Sequence, residues 1–403
     1  MNRYLLAGSA VVALALGAGS ANAQGKFEVR MGGDAVFEAH FVDQDRDSGA
    51  RGSEFLDRFR LNITAMAKAD NGLSYGGRIR LRSTGGTGNN ATDTDRAYIQ
   101  VGGGFGTVRM GTMNSYSDDV GAVYWPIAFQ TGPLLLNAQG VAVASASTEA
   151  TAINSVLTHY SLLDNTNATK IYYASPRVSG FQLGATFTPR SDSSGTNVNR
   201  ADSATVGTGT PAYENIWEVG LNYKGEFSGV GVQFGAGYMG GAAIDSANTT
   251  AVVTNAHEDL SAWQVGGQVS YAGFSVGVGY INKGDSGLVS SYGNKEDMQV
   301  FGVGAQYATG PLTVGVSYTY GEGNGFNAAS RQTVTSLQPI SGRSYAGAVE
   351  QEQWAVAVLY AVAPGLLVGA EYNYIDADAP NLTGGTNYDD KANVFILRSA
   401  LVF

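Results

Sequence analysis

The sequence predicts an all-β protein: a transmembrane, antiparallel, up-and-down β-barrel of 16 strands whose long third loop folds into the lumen. Three observations carry this prediction. About sixteen strand-like segments follow one another, very short turns alternate with much longer loops, and aromatic residues mark the ends of the apolar stripes. Barrels of the outer membrane have short turns on the inner side and longer loops outside. An even number of strands places both chain ends on the periplasmic side.

Residues 1–23 have the features of a secretory signal peptide. Arg3 supplies a positive charge, an apolar run extends to Ala18, and Ala21-Asn22-Ala23 forms a small-residue cleavage site. The apolar run is shorter than the roughly 20 residues that a helix needs to cross a bilayer. We therefore expect this segment to be cleaved and residues 24–403 to form one barrel domain.

Composition excludes several classes of protein. Without Arg3, the chain carries 34 acidic and 23 basic residues, and scattered basic residues in an acidic chain make a poor nucleic-acid binder. There is no cysteine, so disulfides and thiolate chemistry are excluded. The 56 glycines and 22 tyrosines, with only 14% charged residues, suit pleated strands and turns better than a helical core.

The predicted strands fill most of the mature chain. Tight turns such as Asp70-Asn71-Gly72, Gly310-Pro311 and Ala363-Pro364-Gly365 separate some of them and contain the residues that turns require. The predicted strands are 26–43, 54–69, 73–83, 95–102, 106–113, 169–175, 180–188, 213–225, 229–240, 259–271, 274–283, 295–308, 311–321, 350–362, 366–376 and 391–403.

Side-chain alternation within the strands favours a membrane barrel over a soluble sandwich. In one strand, Trp217, Val219, Leu221 and Tyr223 share a face, and the residues between them are polar or glycine. Aromatic residues six or eight positions apart would lie roughly 15–20 Å apart along the membrane normal, close to the spacing of two interfacial girdles. A sandwich would bury the apolar face instead.

One predicted hairpin concentrates positive charge. Five arginines share one face of its two strands, and the other face is apolar. In a barrel this face must be the lumen, because an arginine facing lipid costs roughly 2–4 kcal/mol at the midplane. The face is either an ordinary solvated wall or the basic wall of a constriction. The five residues are Arg58, Arg60, Arg78, Arg80 and Arg82, and lumen-facing parity is shared by Arg30, Arg96, Arg109 and Arg398.

A long insertion at about residues 114–168 predicts a constriction loop. It holds apolar residues, including Trp125 and Leu134-Leu135-Leu136, so it must pack against something. Sixteen strands enclose a channel too wide for wall side chains to fill, and a loop folded inward would narrow it. Acids of this loop facing the arginines would create a transverse field that selects polar solutes. The candidate acids are Asp118, Asp119 and Glu149.

The segment Arg96-Ala97-Tyr98-Ile99-Gln100-Val101-Gly102-Gly103-Gly104-Phe105-Gly106-Thr107-Val108-Arg109-Met110-Gly111 resembles the hairpin before the third loop of Gram-negative general diffusion porins, above all the alphaproteobacterial type. The final Leu401-Val402-Phe403 is similar to the signal by which the outer-membrane assembly machinery recognises its clients. The resemblance covers the mature chain and implies a homotrimer of barrels, each with its own pore. It also implies that Asp118 and Asp119 form the acidic side of the constriction and the five hairpin arginines the basic side.

The expected function is that of an outer-membrane porin, through which ions and small hydrophilic solutes diffuse passively, without a required cofactor. The alternatives are a channel of the same fold that prefers anions or sugars, and a plugged structural or adhesive barrel. We expect no enzyme, because His40, His159 and His257 lie far apart in the sequence and outside nucleophile or zinc motifs. Expected partners are outer-membrane lipid and the assembly machinery through Phe403.

One external loop approaches the spacing of a calcium site. Asp43, Asp45, Asp47 and Glu54 are its candidate ligands. Gly49 falls one place late for an EF-hand loop, and helical flanks are not apparent in the sequence. The segment is therefore either a calcium-binding loop or an ordinary solvated loop.

Overall fold

The computed structural model describes residues 26–45, 51–84, 91–121, 168–191, 194, 212–244, 257–287, 290, 297–323, 349–379 and 388–403. The expected signal peptide, residues 1–23, and most of the expected constriction loop lie outside these residues. No helix in the described part of the chain is long and apolar enough to cross a membrane.

The sixteen predicted strands are confirmed, with ends that differ by at most four residues. A single helical turn, Ser117–Gly121, follows β5 and is called the root turn below. The strands are β1 (Glu28–Gln44), β2 (Ser53–Lys68), β3 (Ser74–Thr84), β4 (Ala91–Gly103), β5 (Gly106–Thr112), β6 (Thr169–Ala174), β7 (Phe181–Arg190), β8 (Ala212–Phe227), β9 (Val230–Ile244), β10 (Leu260–Tyr271), β11 (Phe274–Gly284), β12 (Met298–Thr309), β13 (Leu312–Gly323), β14 (Val349–Ala363), β15 (Leu366–Ala379) and β16 (Tyr388–Val402).

Each strand pairs antiparallel with its chain neighbours, and β1 pairs with β16 to close the barrel. At this seam Glu38 lies opposite Arg398. The last residue completes it: the Phe403 amide donates to Gly33 O at 3.1 Å, and the Gly33 amide donates to Phe403 O at 2.7 Å. Closure leaves no unpaired strand edge, which is the condition for a sheet to span a bilayer.

The two faces of the wall differ as the alternation predicts. On β8, Trp217 and Val219 are exposed on the outer face, whereas Glu218 and Asn222 are buried on the inner face. Buried apolar clusters among the described residues also lie on the inner side, for example Met239 with Leu260. The packed side of the sheet is therefore the lumen wall, and the apolar outer face is left for lipid or protein.

Candidate pore constriction

The hairpin of β2 and β3 is formed by the turn that the sequence predicts. Gly72 has a φ of 84°, in the left-handed region that glycine adopts without strain. The Ala69 amide donates to Leu73 O at 2.8 Å, and the Asn71 side chain accepts from the Leu73 amide at 3.1 Å. This turn fixes the register, and a shift by one residue would turn every arginine toward the lipid.

All five hairpin arginines lie on the inner wall. Arg60 pairs directly with Arg82, Arg80 lies opposite Asn62, and Arg78 lies opposite Thr64. Like charges at such positions repel, so the wall requires compensating acids. The structure supplies them from the neighbouring strands β1 and β4.

Asp34 of β1 neutralises part of the positive charge of Arg58 and Arg60 on β2. Its Oδ1 accepts from Arg58 Nη2 at 2.7 Å, and its Oδ2 accepts from Arg60 Nε at 2.7 Å. One carboxylate therefore bridges two guanidinium groups. The charge-assisted bonds also hold both side chains against the wall.

Asp95 of β4 neutralises positive charge on β3, and a β-bulge turns its side chain toward the lumen. The register of β4 against β3 shifts at this residue, so Asp95 is the extra residue of the bulge. Its carboxylate, which is 1% exposed, accepts from Arg80 Nε at 2.7 Å and from Arg80 Nη2 at 2.5 Å. Simple alternation would point Asp95 away from the lumen, because Arg96 beside it points inward. The bulge turns it inward instead.

The same acid also lies near two further arginines. Arg82 Nη1 is 3.5 Å from the Asp95 carboxylate, and Arg96 Nη1 is 3.8 Å from it. Asp93, also on β4, accepts from Arg82 Nη2 at 3.3 Å. These contacts join the basic residues of β2, β3 and β4 into one surface.

We call this surface the arginine ladder. It comprises Arg58, Arg60, Arg78, Arg80, Arg82 and Arg96 together with Asp34, Asp93 and Asp95. Among these described residues, arginines outnumber acids by six to three. Arg78 differs from the others: its Nε donates to Asn62 Oδ1 at 3.1 Å, and within the described part of the chain it forms no ion pair.

Of the loop acids, Asp118 and Asp119 lie within the described residues. Asp119 accepts from Arg109 Nη1 of β5 at 2.6 Å and from the Tyr172 hydroxyl of β6 at 3.3 Å. Asp118 accepts from the Asn114 side-chain amide. The structure thus pairs Asp119 with Arg109 and does not bring it to the ladder. Glu149 lies outside the described residues, so the role of the loop acids in the constriction stays a prediction.

The root turn itself lies on the inner wall of β7 and β8. The Ser117 amide donates to Glu218 Oε1 at 2.6 Å, and the Tyr116 amide donates to Thr186 Oγ1 at 2.9 Å. Both acceptors belong to lumen-facing positions of their strands. The loop therefore begins inside the barrel.

Sequence reasoning missed the acids of the ladder and the anchors of the root turn. Asp34 shares the lumen-facing parity of Arg30, which was a usable signal. Asp95 would face lipid by simple alternation, and a carboxylate at such a position indicates a bulge. Thr186 and Glu218 carry no comparable signal, because their partners lie far away in the sequence.

The candidate calcium ligands are not brought together within the described residues. The Glu54 carboxylate accepts from the Phe55 amide at 2.9 Å and pairs with Arg51. The described residues contain no group of three or more acidic, histidine or cysteine side chains able to hold a metal ion. Asp47 lies outside them, so calcium binding stays a prediction.

A profile described as Gram-negative porin matches residues 10–380. Among solved structures, OmpT, an outer-membrane protein of Vibrio cholerae in a trimer form, has a TM-score of 0.60 at 16% identity and covers 94% of this chain and 99% of its own. A triple mutant of the Rhodopseudomonas blastica porin has a TM-score of 0.52 at 15% identity, over 93% and 100% of the two chains. A search of curated protein sequences finds no match. The structural likenesses concern the fold.

Proposed function

This chain belongs to the Gram-negative porin family, and we propose that its outer-membrane channel passes ions and small hydrophilic solutes with a preference for anions. The channel itself, a barrel for passive diffusion, follows from the family and the fold. The observation that carries the preference is Arg78, a lumen-facing guanidinium of the arginine ladder whose partner among the described residues is the neutral amide of Asn62.

The chain as a whole is acidic, but selectivity depends on the charges that line the narrow part of the pore. The ladder spans three adjacent strands and concentrates six arginines on one side of the lumen wall. Arg78 bonds to a neutral amide and so keeps its full charge for passing solutes. Field lines focus in a water-filled cleft with low-dielectric walls, which raises the local concentration of anions.

The test is single-channel recording in a planar bilayer under a salt gradient. An anion-preferring diffusion channel has conductance that rises with salt without saturation and a reversal potential of the sign set by the anion. A cation-selective reversal potential would contradict the proposed preference. Saturable block by one solute would favour the substrate-preferring channel, and silence from folded protein would favour the plugged structural or adhesive barrel.

We also propose a homotrimer that forms through the outer face of β1–β5 and β16. Among the described outward residues of these strands there is no tryptophan, and Tyr75 is the only tyrosine. On β8–β15 the outward positions instead carry exposed tryptophan and tyrosine, such as Trp263 and Tyr360. Tryptophan and tyrosine at the membrane interface anchor a surface in lipid, so a face that carries almost none of them, although it carries phenylalanine, suits protein contact.

A shallow hollow on this face supports the same proposal. It has a volume of about 560 Å³ and is lined mostly by small and apolar residues, among them Ile63, Ala65, Gly77 and Ala97, with Arg78 and Tyr98 also in its lining. Replacement of Ala97 by Trp would fill the hollow, whereas the matched Val276→Trp adds a tryptophan to the exposed face of β11. We expect A97W to give folded monomers and V276W to give trimers in light scattering. Trimers of A97W would place the interface elsewhere.

The remaining features of the pore are proposals that depend on this function. We propose that residues 114–168 continue inward from the root turn and narrow the lumen, which the position of the root turn supports. We propose no catalytic activity: His40 bonds to Glu38 at 2.9 Å, and no nucleophile motif accompanies it. Recognition of Phe403 by the assembly machinery and contact with outer-membrane lipid are proposed on the same basis.

Calcium in the first external loop is a separate proposal. Asp43, Asp45, Asp47 and Glu54 would be ligands, and Arg51 would have to release Glu54. Calcium bound only by the folded barrel would raise its unfolding temperature. We expect EDTA to lower that temperature and excess calcium to restore it, with the change absent in Asp45→Asn. An unfolding temperature that does not change when EDTA is added would exclude the calcium site.

A further inference from the structure

Tyr116 is the residue that seats the root turn on the inner wall. Its side chain is fully buried, and its ring lies over Gly184 of β7 and Gly220 of β8. A Cβ atom at Gly184 would stand 1.9 Å from Tyr116 Cδ2, and one at Gly220 would stand 2.8 Å from Tyr116 Cδ1. Carbon atoms that are not bonded prefer about 3.5–4.0 Å. Only glycine at both positions leaves room for the ring, and the two glycines form a socket.

Hydrogen bonds fix the ring and the backbone around it. The Tyr116 hydroxyl donates to Gln182 O at 3.1 Å, and the Tyr116 amide donates to Thr186 Oγ1 at 2.9 Å. The next amide, of Ser117, donates to the carboxylate of Glu218, which is 1% exposed. A buried carboxylate is costly without such donors, so Glu218 favours the state in which the root turn is in place.

A second group of contacts holds the root turn from the side of β5 and β6. Arg109 lies 4.8 Å from the centre of the Tyr172 ring and forms the ion pair with Asp119. The rings of Tyr116 and Tyr172 are 6.0 Å apart and tilted by 45°, which is favourable aromatic geometry. Contacts from four strands therefore converge on one turn of five residues.

We propose that Tyr116 is a positioning residue for the pore: its ring, seated in the Gly184–Gly220 socket, fixes the root turn and with it the open cross-section of the lumen beside β7 and β8. The inference rests on the proposed function, because a fixed cross-section has a consequence only in a lumen that conducts. Glycines at these two lumen-facing strand positions are explained by the socket, since strand interiors otherwise disfavour glycine.

The proposal predicts that loosening the socket adds motion to the lumen without unfolding the barrel. No strand pairing involves Tyr116, so Tyr116→Ala should still assemble as a barrel, although the loss of a fully buried ring lowers its unfolding temperature. Its root turn loses the buried ring and samples several positions, and we expect the open-channel current noise to rise about twofold or more. Tyr116→Phe keeps the ring in the socket and loses only the bond to Gln182 O, so its noise should stay near that of the wild type.

Gly184→Ala disrupts the contact between the Tyr116 ring and the socket by changing the socket instead of the ring. Its methyl group would expel the ring, and we expect noise like that of Y116A. The control for the added methyl group alone is Gly267→Ala, which places it on the outward face of β10, away from the lumen, with an ordinary contact of 3.5 Å to Gln233 O. In the double variant Y116A/G184A the methyl group meets no ring, so the effects should not add.

The outcomes distinguish a failure of the proposed role of Tyr116 from a failure of the proposed channel function. Wild-type noise in folded Y116A and G184A, or additive effects in the double variant, would overturn the role of Tyr116. If Y116A does not assemble, Thr186→Val is the deciding variant, because it removes the acceptor of the Tyr116 amide. Raised open-channel noise in T186V would support the positioning role of Tyr116, and noise at the wild-type level would overturn it. A silent wild-type channel would instead contradict the proposed function, because the variants matter only when the wild type conducts.

Discussion

The inner wall at β2–β4 and the inner wall at β5–β8 both pair arginines with aspartates, but they do so differently. At the arginine ladder, six arginines lie around three acids, and Arg82 keeps 37% of its side chain exposed. At the root turn, Arg109 has its own acid, Asp119, and lies against two tyrosine rings. Excess charge attracts ions, whereas a neutral and packed pair holds a segment in position. The first region is suited to set charge preference, and the second to set shape.

The largest expected effect comes from the triple replacement of Arg78, Arg80 and Arg82 by Gln. It removes three positive charges from the lumen wall, so the reversal potential should shift toward cations. Unit charges 4 Å apart interact by about 1 kcal/mol in water, so each lost charge corresponds to about a fivefold change in the anion-to-cation permeability ratio. Arg177→Gln removes one charge at the turn between β6 and β7, where Arg177 donates to Gly180 O and to Asn222, and it shows what a positive charge away from the ladder contributes. An unchanged reversal potential would remove the ladder from the constriction.

Asp34→Asn should act in the opposite direction and less strongly. It frees Arg58 and Arg60 from their shared partner, so preference for anions should increase by up to about fivefold. Asp376→Asn makes the same change of charge on the outer side of β15, where Asp376 accepts from the Tyr374 hydroxyl, and serves as the control. Equal shifts in the two variants would mean that total charge, rather than the ladder, sets the preference.

The smallest expected effect comes from salt, which distinguishes the arginine ladder from the root turn without any mutation. Raising salt from about 0.1 M to about 1 M shortens the Debye length from about 10 Å to about 3 Å. The anion preference of the ladder should then weaken, while the added noise of Y116A should remain, because packing is not screened by ions. Reversal potentials and noise recorded on the same channels provide the measurement. Noise that disappears with salt would assign the root turn an electrostatic role.

Local patterns predicted much of the wall but not its charge balance. The alternation of Arg58, Arg60 and Asn62 with apolar residues was enough to assign their face, because neighbours in a strand point to opposite sides. Alternation failed at Asp95, where the bulge adds one residue and reverses the direction of the side chain. A bulge depends on the register of two strands, which a single strand pattern does not contain.

The contact partners of the loop acids were harder to predict from the sequence than the charge balance of the wall. The resemblance to porins implied that Asp119 faces the hairpin arginines, whereas the structure pairs it with Arg109, ten residues earlier in the chain. Tyr116 had no visible role in the sequence, because its socket comes from Gly184 and Gly220 on two later strands. Such contacts arise only when the closed barrel brings distant strands together.

The sequence by itself determined the class of fold, the sixteen strands and the face on which the hairpin arginines lie. Each of these follows from period-two alternation and turn residues, which are local properties of the chain. Only the tertiary structure decided which acids neutralise those arginines and where the third loop is anchored. Ion pairs and packing depend on distances across strands, and barrel closure and register fix those distances.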